Sequence, residues 1–171
     1  NRTLQVFSIG TNFTDLAVND ITFANSANTI SLTVGVDNSF QAGAGMMTVN
    51  GIIGNQATGA QSLTKNNGGV LILNSDNTYD GTTTITQGRL VLGHTGAAGV
   101  AGSTINLNTN SDRSAQLEFR IDGSGPFLFD NEVVTAGGND NSDRLITVGP
   151  SGPGSENQTV QISSLTIGHG G

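Results

Sequence analysis

The 171-residue chain predicts an all-β fold, wound as a parallel β-helix or a related β-solenoid, on three observations. Short apolar runs alternate with tight turn clusters through residues 62–93. No segment carries apolar residues at helical spacing over three turns, and 25 glycines work against long helices. Hydrophobic residues make up 35% of the chain and aromatics 5%, with no Trp, which suits a thin core of Leu, Ile and Val. A β-sandwich of lectin or pilin type would show the same short strands and frequent turns, and stands as the alternative.

Strands are expected in order at residues 3–9, 16–23, 29–36 and 46–53, the last with Gly51 as a bulge. In Ile30-Ser31-Leu32-Thr33-Val34 the apolar residues alternate, as on a half-buried strand. Further strands follow at residues 70–73, 82–86, 89–92, 104–107, 115–121, 127–129, 132–134, 145–148 and 159–167. Residues 96–101 would make a helical turn or a loop, and the Pro/Gly run at 149–154 reads as a protruding loop.

Four turn clusters punctuate the central stretch: Asn66-Asn67-Gly68-Gly69, Asn74-Ser75-Asp76-Asn77, Asp80-Gly81 and Gln87-Gly88. Gly accepts positive φ, and Asn or Asp can bond its own backbone, so a strand can corner every few residues here. Leu63-Thr64-Lys65, Gly68-Gly69, Leu71 and Leu73 open one ordered pattern. Asn77-Thr78-Tyr79, Gly81, Thr83-Thr84-Ile85 and Gly88-Arg89-Leu90-Val91-Leu92-Gly93 complete it. In that order they resemble the autotransporter-associated β-strand repeat of bacterial cell-surface passengers, best over residues 62–96. The resemblance implies a β-solenoid and an outer-surface or extracellular setting. It identifies a scaffold and leaves the activity open.

A weaker echo links Leu90-Val91-Leu92-Gly93-His94 with Leu165-Thr166-Ile167-Gly168-His169, 75 residues on. It suggests equivalent rungs several coils apart. Roughly eight coils, about 4.8 Å apart, would form a rod of about 40 Å. The whole chain, residues 1–171, is expected as one solenoid segment of a longer protein or as a fibre subunit. The first residue is not Met and no leader pattern opens the chain, so an export signal would lie outside it.

The formal net charge is −7, with six Lys plus Arg scattered singly, which disfavours nucleic acid and anionic membranes. No run of about 18 apolar residues exists to span a bilayer as a helix. The absence of Cys removes disulfides and thiol chemistry.

Candidate chemistry is sparse. Glu118, Arg120 and Asp122 share one strand face, where a polysaccharide lyase or hydrolase could work, although a solvated face with an exposed ion pair accounts for the same residues. Asn139, Asn141 and Asp143 place oxygen side chains at alternate positions, as some calcium loops do, but the bidentate Glu of an EF-hand loop is missing. His94 and His169 are the only histidines, too few for a zinc centre, and their setting suggests corners. No cofactor is expected. Val70, Ile72 and Val91 depart from the small polar residues usual in the repeat. With the neighbouring Leu residues inward they would form an outer apolar strip for another coil, a loop or a sister subunit.

The expected function is therefore non-enzymatic: a structural or adhesive β-solenoid of a bacterial surface or extracellular protein. Its partners would be copies of itself, end to end or laterally, or host and surface glycans. The alternative is a glycan-binding or polysaccharide-cleaving β-helix.

Overall fold

The computed structural model describes residues 2–8, 15–23, 29–36, 45–55, 60–108, 114–123, 125–135, 143–149 and 158–168. Among them the chain forms fifteen strands and no helix. These are β1 (Arg2–Ser8), β2 (Asp15–Val18), β3 (Ile21–Phe23), β4 (Thr29–Val36) and β5 (Met46–Val49). Then come β6 (Ile53–Asn55), β7 (Ser62–Asn66), β8 (Val70–Leu73), β9 (Thr83–Ile85) and β10 (Gly88–Leu92). The last five are β11 (Thr104–Leu107), β12 (Ala115–Phe119), β13 (Phe127–Val134), β14 (Arg144–Val148) and β15 (Val160–Thr166).

Every pairing among the described strands is parallel, which rules out the sandwich of facing antiparallel sheets. Sheet A has seven strands in the order β1-β4-β7-β9-β11-β13-β15, and sheet B has six in the order β14-β12-β10-β8-β5-β2. A third side starts with β3 beside β6. It continues through the amide of Thr78 donating to Ile53 O (3.1 Å) and that of Val100 to Tyr79 O (3.1 Å). The first half of β13, Phe127 to Phe129, closes it against Val160 to Ile162. The chain thus circulates from sheet B to the third side to sheet A. Among the described residues it does so six times after the leading strand β1, where about eight coils were expected from length alone.

Side chains alternate inward and outward along each strand, so register stacks like residues in columns. One column in sheet B runs Leu16, Met47, Leu71, Leu90, Leu117, Ile146. A second runs Val18, Val49, Leu73, Leu92, Phe119, Val148. In sheet A, Leu63, Thr83, Ile105, Val133 and Leu165 align in the same way. The middle members are fully buried, and Phe119 meets Phe129 edge-on across the interior at 4.5 Å. Burying one Leu or Val contributes about 1.5–3 kcal/mol, and columns repeat that gain at every rung.

Corners differ from the expectations in instructive ways. Residues 16–23 are two strands with a bend at Asn19-Asp20, and Gly51 is a corner where a bulge was expected. The Gly51 amide donates to Asn19 O (2.7 Å), and a Cβ there would lie 2.1 Å from Asp20 Oδ1. Strands expected at 127–129 and 132–134 are one strand, β13, with a register shift between Phe129 and Glu132 where the third side turns into sheet A. The 75-residue echo is not structural. Leu90 to Leu92 lie in sheet B, whereas Leu165 lies in sheet A, so the two segments occupy different sides of the coil.

Candidate functional site

The central coils hold three polar constellations, and each joins one rung to the next. The first is Lys65, fully buried in a column with Ile85 and Leu107. Its ammonium donates to the carbonyls of Asn66 (2.8 Å), Asn67 (2.5 Å) and Gln87 (3.1 Å). Asn67 has φ of 61°, an unusual value for a residue with a side chain. That left-handed turn forms part of the carbonyl cluster around the ammonium. Burial pushes the Lys65 amine down to about 7.

The second is Asn77, 2% exposed. Its Oδ1 accepts the Ile53 amide (2.8 Å) from the preceding rung, while its Nδ2 donates to Ala97 O (2.6 Å) on the next. One side chain therefore pins three coils. The third begins at Tyr79, whose hydroxyl donates to Thr83 Oγ1 (2.7 Å), which donates in turn to Ala98 O (3.1 Å). Ser103 Oγ donates to the same carbonyl (3.2 Å), and Asn131 Nδ2 donates to Ser103 Oγ (2.9 Å). Desolvation raises the Tyr79 phenol far above its ordinary range, so it stays a neutral donor. Such fully bonded chains make a narrow interior specific to one register.

On the outer face of sheet B the charged residues are not a simple solvated strip. Glu118 is only 7% exposed. Arg120 Nε and Nη2 both reach Glu118 Oε1, at 2.9 and 2.5 Å, and Arg89 Nη1 reaches Oε2 at 3.1 Å from the preceding rung. Both carboxylate oxygens are thus engaged by guanidinium, an arrangement that ties β10 to the end of β12. Asp122 lies beyond the strand and is exposed. A hollow of about 260 Å³ opens beside this cluster, lined by Val70, Gln87, Arg89, Ser114 and Gln116.

Leu71, Leu73, Leu90 and Leu92 point inward and are fully buried, so Val70, Ile72 and Val91 point outward. Ile72 and Val91 stack in register, whereas Val70 stacks on Arg89. Val70 and Ile72 are half-buried, and Val91, between Ile72 and Glu118, is 1% exposed. The three residues therefore do not form one continuous column.

Of the suggested calcium set, Asn139 and Asn141 lie outside the described residues, and Asp143 is exposed just before β14. Among the described residues no group of three or more His, Cys, Asp or Glu could hold a metal ion. His94 sits at a corner, and its Nδ1 accepts the amide of Gly96 (3.1 Å). His169 and residues 150–154 also lie outside the described residues.

Sequence reading missed Lys65 and Asn77 as interior residues. The signal was available: Lys65 holds the same strand parity as Leu63, and Asn77 precedes a buried Tyr in a turn-rich run.

Residues 63–92 match the passenger-associated-transport-repeat family. The match starts in β7 and ends with β10, so it covers one full coil and its return to sheet B. It includes Lys65, Asn77, Tyr79 and Thr83 and stops before Glu118. The repeat is a structural family, not a catalytic one. No curated protein and no solved structure matches the chain.

Proposed function

We propose that this chain is a structural segment of a bacterial surface or secreted protein, a stiff β-solenoid that extends and displays the loops at its corners. The observation that supports this most is the coincidence of the repeat match with the best-sealed coil. Residues 63–92 include Leu63, Leu71, Leu73, Ile85, Leu90 and Leu92, all fully buried, together with the ammonium clasp and the Asn77 pin. These features serve shape. Each polar group in them bonds backbone or another protein side chain, as befits a scaffold whose corners carry recognition.

Adhesion and end-to-end assembly are the specific tasks this scaffold fits. Antibody labelling of intact source cells tests its location: signal on unbroken cells supports display, and signal only after lysis overturns it. A glycan-binding face is the second reading, favoured by the polar hollow beside Arg89 and Gln116. Glycan binding that Gln116→Ala abolishes would carry it.

A further inference from the structure

We infer that the hollow on the outer face of sheet B binds an acidic sugar, whose carboxylate or sulfate group pairs with Arg89 while its hydroxyls meet Gln116 and Ser114. The inference rests on the glycan-binding reading and adds the charge of the ligand and the residue that selects it. Register sets the outward residues Val70, Arg89, Gln116 and Leu145 in one column on successive rungs. That column spans three strand spacings, about 14 Å. The hollow, about 260 Å³, crosses β8, β10 and β12 where each coil enters sheet B. Its volume sits just below the range for drug-sized ligands, about 300–1,000 Å³, and suits a single sugar ring.

Charge selects the ligand. The chain carries −7 overall with six Lys plus Arg, yet two of the arginines meet at this spot. Arg89 and Arg120 share one carboxylate, that of Glu118, so the cluster keeps an excess positive charge. The Glu118 side chain is 10% exposed, whereas that of Arg89 is 42% exposed and lines the hollow. Arg89 Nη1 donates to Glu118 Oε2 at 3.1 Å, which uses one of about five N–H donors on the guanidinium. The rest stay on a planar fork whose direction that bond already sets. A fork held in place loses less freedom on gripping an anion. Glu118 is thus a positioning residue, and Arg89 makes the contact.

The remaining walls match a sugar better than a bare inorganic anion. Gln116 offers an amide donor and acceptor at the hollow, and Ser114 a hydroxyl. Val70, half-buried one rung before Arg89, supplies apolar surface for the C–H face of a ring. Gly68 and Gly88 carry no side chain and leave the floor open. A sugar ring presents a hydroxyl edge and an apolar face, and both find partners here.

Calorimetry of the purified chain against oligogalacturonate, its methyl ester, dextran sulfate and dextran tests this. The expected result is binding to an anionic polymer and none to its neutral counterpart. Galacturonate binding identifies a carboxylate as the recognised group, and dextran sulfate binding a sulfate ester. Affinity should fall between about 0.05 and 0.5 M salt, as the screening length drops from about 14 to about 4 Å. Arg89→Gln should weaken binding at least about tenfold through loss of the charged fork. Gly68→Leu keeps every charge but fills the hollow, and should weaken binding as much. A Cβ at Gly68 meets only Gln87 Nε2, at 3.4 Å, so this variant should melt with the wild type. Anion binding indifferent to both substitutions is diffuse attraction and overturns the inference. Neutral polymers held as tightly as charged ones, through Gln116, also overturn it and leave the glycan reading standing. A folded chain that binds none of these polymers overturns both.

Discussion

The ammonium of Lys65 donates to the carbonyl of Gln87, 22 residues on and one rung away, at 3.1 Å. It makes this bond in a column whose next members are Ile85 and Leu107, both fully buried. A charged group so placed stiffens the corner, yet it also carries a desolvation cost that depends on pH.

That cost sets the first prediction. The unfolded Lys65 side chain titrates near 10.5, whereas burial pushes it down to about 7 in the fold. Between those values the unfolded chain holds a proton that the folded chain has released, so stability rises as pH rises through this window. It is flat with respect to this group below pH 7. The slope approaches about 1.4 kcal/mol per pH unit. Denaturant midpoints measured from pH 6 to about pH 10 should climb, and Lys65→Met should remove most of the climb.

Asn77→Ala should destabilise the fold by about 3 kcal/mol, because it strands the Ile53 amide on one rung and the Ala97 carbonyl on another. Asn77→Asp keeps the acceptor and loses the donor, and should also destabilise, since it buries a carboxylate. Thermal melts of the two variants give the comparison. A melting temperature unchanged in Asn77→Ala would remove the pin from the account.

Two glycines separate backbone strain from crowding. Gly88 and Gly102 both have positive φ, at 75° and 81°. A Cβ on Gly88 would lie 2.4 Å from Asn67 O, while one on Gly102 meets nothing within 4 Å. Gly102→Ala should therefore cost about 1 kcal/mol, the conformational term alone. Gly88→Ala should cost clearly more, about 3 kcal/mol, because it adds a clash at the Lys65 corner. Equal losses in chemical denaturation would contradict this division.

Glu118→Gln should weaken the fold by about 2 kcal/mol, since it leaves Arg89 and Arg120 facing each other without their shared anion. Both guanidiniums are partly exposed, which keeps the loss below that of a fully buried pair. Added salt should narrow the gap between wild type and variant. A gap indifferent to ionic strength would mean the loss comes from packing.

The alternation Leu71-x-Leu73 and Leu90-x-Leu92 made the winding of the central coils legible, because period-two patterning maps directly onto inward and outward faces. The corner at Asn19-Asp20 was not, since apolar residues flank it closely enough to read as one strand. Lys65 was passed over because lysine is ordinarily exposed, and only the carbonyl cluster around Asn67 makes its burial tolerable. Glu118 points outward as alternation requires, yet arginines from two rungs cover it, and stacking between rungs cannot be read from one segment. The echo at Leu165 failed for the opposite reason: similar tripeptides suit any side of the coil.

Leu71 pairs with Leu90 nineteen residues later, while Leu16 pairs with Met47 thirty-one residues later, and both hold the same inward column. Part of the extra length lies in sheet A, where β4 has eight residues and β9 three. Evolution, or an engineer, could lengthen a coil in this way without disturbing the column it returns to. The rod then behaves as a rack on which interchangeable tips are hung, each free to vary at its own pace.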